Sequence, residues 1–348
     1  MDIFTKDGWL DVPELLKAGM PFIFCTGARG VGKTYGTLDY FQGIESQYIY
    51  MRRTMTELDV IIDNEALNPF AQLNADHNIN IGFVRNSKYT ALITNREKGE
   101  DDKLIPCGRP LGLAMALSAV AKMRGFSGID YDYLFYDEFI PESHVQKIRN
   151  ESDAFLNAYE TINRNRELFG RKPLQVICMS NSNKLDNALY FGLNLVSKVD
   201  EMKRKHKTTS IIRSRGILLV NIEKSPISER KRNTALYRLS EGTSFAEMAL
   251  DNVYIGEDDA TPVVHHNLQE FTPWVAVGEL CIYRHKSKML YYVTTHVSGS
   301  PPTYTSAETD CKRFRNAYGI IWSHHMARRV DYDSRICEIL LRHYLGIK

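Results

Sequence analysis

No apolar stretch in these 348 residues approaches the roughly 18 that a membrane span needs. The opening Met1-Asp2-Ile3-Phe4-Thr5-Lys6-Asp7 has neither the basic start nor the apolar run of an export signal. Cysteine is sparse as well, six residues at 25, 107, 178, 281, 311 and 337 with no C-x-x-C pair, which argues against zinc ribbons and disulfide frameworks. Three of them fall in apolar or strand-like runs, where reduced thiols are the expectation. Internal repeats and low-complexity segments are missing too, so solenoids and disordered chains drop out. The expectation is a cytoplasmic globular protein with no membrane partner. At 43% hydrophobic and 25% charged it has length for two domains.

Net charge is nearly absent, +2 in all, but its placement is uneven. Residues 201–240 hold eleven Lys or Arg against three Glu, so this stretch carries +8 and the remainder −6. Lys203-Arg204-Lys205-His206-Lys207 and Arg230-Lys231-Arg232 suit a polyanion backbone, or else a solvated face or lid between domains.

Gly27-Ala28-Arg29-Gly30-Val31-Gly32-Lys33-Thr34 spells the phosphate-binding pattern G-x-x-x-x-G-K-[ST] directly behind the apolar run Pro21 to Cys25. Glycines at 27, 30 and 32 let backbone N–H groups turn inward as an anion nest. Lys33 is placed for the β- and γ-phosphates and Thr34 for Mg²⁺. Val31 belongs to the same cradle, and Arg29 can bend toward phosphate or toward Glu138. Nucleotide use follows, with ATP and Mg²⁺ as the expected cofactors.

Apolar runs alternate with helical segments to about residue 222, the pattern of an α/β fold with a mostly parallel sheet. Strands are expected at 47–51, 131–136, 174–179 and 216–222, with 79–85 and 89–94 as a hairpin. Helices are expected at 35–41, 111–122 and 152–168.

Tyr133-Leu134-Phe135-Tyr136-Asp137-Glu138 is an apolar strand ending in two carboxylates, the pattern of a Walker B motif. Asp137 would support Mg²⁺, and Glu138 would polarise the attacking water. A third strand, Gln175 to Met179, ends in Ser180-Asn181, either of which can sense the γ-phosphate. Asn183-Lys184-Leu185-Asp186 matches the guanine-reading N-K-x-D. A GTPase, however, also carries D-x-x-G, and Asp137 is followed by Glu138, Phe139 and Ile140.

Together with Lys122-Met123-Arg124-Gly125 and Glu160 to Glu167, these motifs resemble the genome-packaging ATPases of small tailed phages. These are the phi-twenty-nine-like encapsidation proteins, relatives of terminase large subunits. The resemblance covers roughly residues 15–250. It implies a P-loop ATPase of the additional-strand, catalytic-glutamate (ASCE) type that translocates double-stranded DNA into a procapsid. It also implies a homo-oligomeric ring, by resemblance a pentamer, with sites between neighbours. Portal and adaptor RNA or protein are the expected partners, and the procapsid vertex in the host cytoplasm the expected place. Glu138 is then catalytic and Asn181 the sensor. Arg164 or Arg166 would be the arginine finger acting in trans, with Arg124 as the second candidate.

The expected domains are 1–225 as ATPase, 226–258 as basic linker or lid, and 259–348 as a small α+β RNase H-like domain. Within the last, 274–283 and 289–295 read as one hairpin turned at 284–288, with helices from 308. Its acids (Glu279, Glu308, Asp310, Asp331, Asp333, Glu338) are thin for a two-metal nuclease, and no Asp stands mid-strand, so a degenerate nuclease used for DNA or portal contact is expected. The neighbours in His265-His266 and His324-His325 face apart, which disfavours a metal site.

Overall fold

A computed structural model describes residues 1–99, 103–123, 125–141, 145, 148–182, 184–227, 232–243 and 263–347. They form two compact units, Met1–Lys184 with His206–Ile255, and Leu185–Lys205 with Gly256–Lys348. This division differs from the expected 1–225 boundary, because residues 185–205 pack on the C-terminal unit. There the Phe191 ring stacks on His343 with centroids 3.5 Å apart, and Glu279 accepts from the amides of Val196 and Ser197 at 3.1 Å each. Most of the span 226–258 expected as a linker lies outside the described residues.

The first unit begins with α1 (Val12–Leu16), β1 (Phe22–Gly27), α2 (Lys33–Gln42), β2 (Gln47–Arg52), α3 (Met55–Asp63) and α4 (Ala71–His77). It continues through β3 (Ile81–Arg85), β4 (Thr90–Lys98), β5 (Leu104–Ala116), β6 (Tyr131–Asp137), α5 (Glu151–Asn163) and β7 (Gln175–Ser180). After α6 (Ala188–Gly192) and α7 (Val196–Arg204) of the other unit, β8 (Thr209–Ile212) and β9 (Ile217–Ile222) complete it. Nine strands form one sheet in the order β3-β4-β5-β2-β6-β7-β1-β9-β8. From β5 to β9 all neighbours are parallel, while β3, β4 and β8 run antiparallel at the edges. Ile23 to Cys25, Leu134 to Tyr136 and Val176 to Met179 are all buried, as continuous apolar runs in a sheet covered on both faces must be.

Three places in this unit differ from what the sequence predicts. Residues 111–116, expected as helix, are the end of β5, and only Leu117–Lys122 is helical, as a 3-10 segment. The Ala/Leu/Met content favours helix locally, but the gap between β2 and β4 accepts only a strand. Gly112 fits that gap because a Cβ there would stand 2.2 Å from the Tyr48 carbonyl oxygen. Second, the helix expected over 152–168 stops at Asn163. Arg164 (φ 42°) and Asn165 (φ 58°) are left-handed, and Asn163 accepts from the Leu174 amide at 2.9 Å. Third, β8 adds an unforeseen edge strand after β7. The hairpin β3–β4 matches its expectation.

The second unit's sheet runs β13 (Thr303–Tyr304), β10 (Phe271–Val277), β11 (Leu280–His285), β12 (Tyr291–Thr294), β14 (Val330–Tyr332). The stretch read as one strand, 274–283, is itself a hairpin turned at Gly278-Glu279, with a second turn leading to β12. Helices Glu308–Tyr318, Ile320–Met326 and Arg335–Leu345 occupy the region expected to be helical. All six cysteines are free thiols.

A buried ion pair ties α5 to the sheet. Arg53, 1% exposed, donates to Glu151 through Nε at 2.7 Å and Nη2 at 2.9 Å, and Tyr136 donates to the same carboxylate at 3.1 Å. Removing one partner strands a buried charge, so Arg53→Ala should lower the unfolding free energy by about 3 kcal/mol. The double change to Met at 53 and 151 should restore most of it, as read from urea midpoints.

Candidate active site

The parallel register brings the carboxyl ends of β1, β6 and β7 level. Thr26 pairs with Ser180, and Asp137 with Met179. Open α/β sheets bind ligands at this edge. The loop leaving β1 enters α2 with Gly30 (φ 69°) and Gly32 (φ 82°) left-handed, the backbone that turns amides toward a common point. Any Cβ at Gly32 would also stand 3.0 Å from the Trp9 ring. Val31 is buried, its carbonyl accepting from the Leu10 amide at 3.0 Å, while Arg29 is exposed on the loop. Lys33 is 6% exposed and donates to the carbonyls of Gly27 at 2.9 Å and Ala28 at 2.7 Å, so its ammonium is held inside the loop's curve.

Thr34 donates to Asp137 Oδ1 at 3.3 Å. A hydroxyl and a carboxylate, both hard oxygen donors with room for water and phosphate oxygens, are a donor set that fits Mg²⁺. The other oxygen of Asp137 accepts from the Tyr50 hydroxyl at 2.9 Å and pairs with Arg52 Nη1 at 3.3 Å. Burial first, then the Asp137 charge, pushes the Tyr50 phenol well above its usual range, so it stays a donor. Tyr50 and Arg52 escaped the sequence reading. Their only signal is position, at the end of the strand that happens to lie beside β6.

Glu138 sits one residue beyond β6 with φ 55°, a conformation costing a non-glycine residue on the order of 1 kcal/mol. It is held by Asn181, whose Nδ2 donates to Oε1 at 2.5 Å and whose amide donates to Oε2 at 3.4 Å, and by Ser180 Oγ at 3.5 Å. Burial, then the neighbouring Asp137 charge, raises the Glu138 carboxyl from 4.5 to about 7. A carboxyl poised there can hold or take a proton at neutral pH.

The arginines separate clearly. Arg166 is 3% exposed and committed to Asp132 at 3.1 Å and to the carbonyls of Gly128, Ile129 and Tyr131, so the reading that allowed it as a trans finger is corrected. Arg164 is exposed at the end of α5 and donates to the Phe126 carbonyl at 2.5 Å. Arg124 lies outside the described residues, as does Asn183 of the N-K-x-D match.

The basic stretch 203–232 does not form one element. Arg204 and Lys205 are paired on α7 with Asp200 and Glu201 at 2.7 Å each, whereas His206 onward belongs to the first unit, and Arg230 and Lys231 lie outside the described residues. The acids of the second unit are also engaged. Glu308 pairs with Arg315 at 2.8 Å, Asp331 with His266 at 2.7 Å and Asp333 with His265 at 2.8 Å, and Glu279 caps α7. Among the described residues no three His, Cys, Asp or Glu gather for a metal, and no helix is long and apolar enough to cross a membrane.

The raised Glu138 carboxyl gives a signed pH dependence. Its folded value exceeds the unfolded one, so the stability it contributes is complete below about pH 4.5 and is lost as pH rises through about 7. Glu138→Gln should abolish that loss. The variant should match the wild type near pH 4.5 and exceed it by about 3 kcal/mol at pH 8, measured by denaturant unfolding without nucleotide. Parallel pH profiles for the two proteins would sink the assignment.

The family model described as Podovirus DNA encapsidation protein (Gp16) matches residues 6–270. The DNA packaging proteins of Bacillus phages PZA and phi29 are each 30% identical over 240 residues, which is 67% of this chain and 62% of theirs. The chain thus spans less than two thirds of the curated relatives it matches. A solved chain of the bacteriophage phi-29 viral genome packaging motor assembly shares the fold across 99% of both chains, with a TM-score of 0.60 and 23% identity. With its phosphate loop, tandem carboxylates and sensor strand inside the matched span, this chain belongs to the podovirus DNA encapsidation protein family.

Proposed function

We propose that the chain is an ATP-driven double-stranded DNA translocase that packages a viral genome into a procapsid. The observation that carries this reading is the convergence of Lys33, Thr34, Asp137 and Glu138 on one sheet edge in an encapsidation-family chain. The additional-strand, catalytic-glutamate class is supported by β7, which stands between the strands that end in the phosphate loop and in Asp137-Glu138. A degenerate RNase H-like second unit is supported by its engaged acids and its three-strand meander β10-β11-β12.

In this mechanism the glycine-loop amides and Lys33 hold the β- and γ-phosphates of ATP, exchanging the Lys33 bonds to Gly27 and Ala28 for phosphate oxygens. Thr34 and Asp137 would hold Mg²⁺, which would supply charge neutralisation for the transferring phosphate. Tyr50 and Arg52 hold the other oxygen of Asp137 and so orient its carboxylate toward Thr34. Glu138, once freed from Asn181 and ionised, accepts a proton from the attacking water, and Asn181 reports the change through its strand end. Arg164 serves the neighbouring subunit's site in a homo-oligomeric ring, its exposure at the end of α5 leaving it accessible, with Arg124 as second contributor. DNA is gripped through phosphate-directed Lys and Arg, since translocation along any genome requires sequence-blind contact. The portal vertex, with an adaptor RNA or protein, is the proposed place of assembly.

Glu138→Gln should lower ATP turnover by about a thousandfold while leaving Mg-ATP binding within about twofold, in steady-state assays paired with nucleotide-binding titrations. Normal hydrolysis by that variant would remove Glu138 from the chemistry. In the wild type, kcat/KM should climb as pH rises through about 7, because the base acts ionised. Mixing Arg164→Ala subunits with Lys33→Ala subunits should restore DNA-stimulated ATPase activity that neither has alone. Silence of the mixture would place the finger elsewhere.

A further inference from the structure

The second unit carries a concave site that none of the motifs above claims. Where β11 turns toward β12, a cavity of about 690 Å³ is lined by residues of β10, the end of β11 and the turn that follows. Arg284, Lys286 and Lys288 line it with His285, and no acid does. Among the described residues the side chains of Arg284 and Lys288 are both exposed and engage no hydrogen bond or ion pair. Arg329 extends the cationic rim, donating to the Met289 sulfur at 2.8 Å, and Met289 is a lining residue left 59% exposed. Glu270, the nearby acid, is turned to His285 at 3.7 Å.

One wall is aromatic. Trp274 lines the cavity beside Pro273 and packs against Tyr291 at 5.1 Å and, at a near right angle, against the ring of Tyr318 at 5.0 Å. Free cations around a held aromatic surface satisfy two demands at once, a negative backbone and a flat ring to stack on it. Nucleic acid strands carry both in every residue, whereas an acidic peptide offers only the charge. This charge also lies outside 201–240, where sequence composition concentrates it.

We propose that this cavity binds the phosphodiester backbone of a nucleic acid strand, with one base seated against Trp274. Such a site would hold a strand on the second unit whether or not nucleotide is being hydrolysed, and it does not depend on the translocase reading. The test uses the full-length protein and a strand bearing 4-thiouracil, offered as RNA and as the corresponding DNA, each single-stranded and as a duplex. After irradiation, mass spectrometry should find the adduct within residues 272–289, and equally in the Glu138→Gln protein. The arm with the highest yield identifies the source of the strand.

Arg284→Gln with Lys288→Gln should reduce that adduct and the binding affinity about tenfold. The salt dependence of binding should become shallower by about one to two units, one for each phosphate no longer neutralised. The DNA-independent ATPase rate and the thermal midpoint should not change. Lys312→Gln with Arg313→Gln removes the same charge from an exposed helix and should leave the adduct intact. The proposal is overturned if the adduct maps elsewhere, or if the control pair weakens it as much. It is overturned equally if poly-glutamate of matched charge displaces the strand, because the cavity would then be a dock for acidic protein.

Discussion

Two adjacent carboxylates at the end of one buried strand are the constraint around which this chain is arranged. Asp137 is 4% exposed and Glu138 lies directly beside it, and ionising both in such a place is costly. The surroundings answer the two charges differently. Asp137 receives a cation, the Arg52 guanidinium, together with the Tyr50 and Thr34 hydroxyls. Glu138 receives only neutral donors from Asn181 and Ser180, and its proton affinity rises accordingly. One carboxylate is thereby kept as a ligand and the other as a proton acceptor, the separation of roles that paired acids require.

The strand order serves this arrangement. With β7 between β1 and β6, the residues following β7 reach Glu138, while the loop following β1 reaches Asp137 through Thr34. On the other side β2 borders β6, so its terminal Arg52 falls beside Asp137, and the next residue, Arg53, turns to the buried Glu151 that starts α5. Four consecutive residues, Tyr50 to Arg53, thus supply both a site contact and a structural anchor. A change in the sheet order would scatter all of them.

What could be read in the sequence was whatever is encoded locally. The phosphate loop, the apolar run ending in Asp137-Glu138 and the strand ending in Ser180-Asn181 each carry their chemistry within a few residues, and each stands at the expected edge. Tyr50 and Arg52 were invisible because their role depends on which strand lies next to β2, a fact set by long-range pairing. Residues 111–116 failed for the opposite reason. Their local signal was clear and helical, but the sheet overrode it, with Gly112 admitting a neighbouring carbonyl that any side chain would meet. Arg164 and Arg166 looked equivalent on a continuous helix. The left-handed break at Arg164-Asn165 leaves one exposed and buries the other.

The division into units adds a last consequence. Asn181, which holds Glu138, stands four residues before Leu185, where the second unit begins, and four residues of chain span at most about 14 Å. The excursion 185–205 then returns to the first unit at His206 and leads through β8 into β9, the strand hydrogen-bonded to β1. Both ends of the inserted segment are therefore tied, within one sheet, to the strands that flank the phosphate loop.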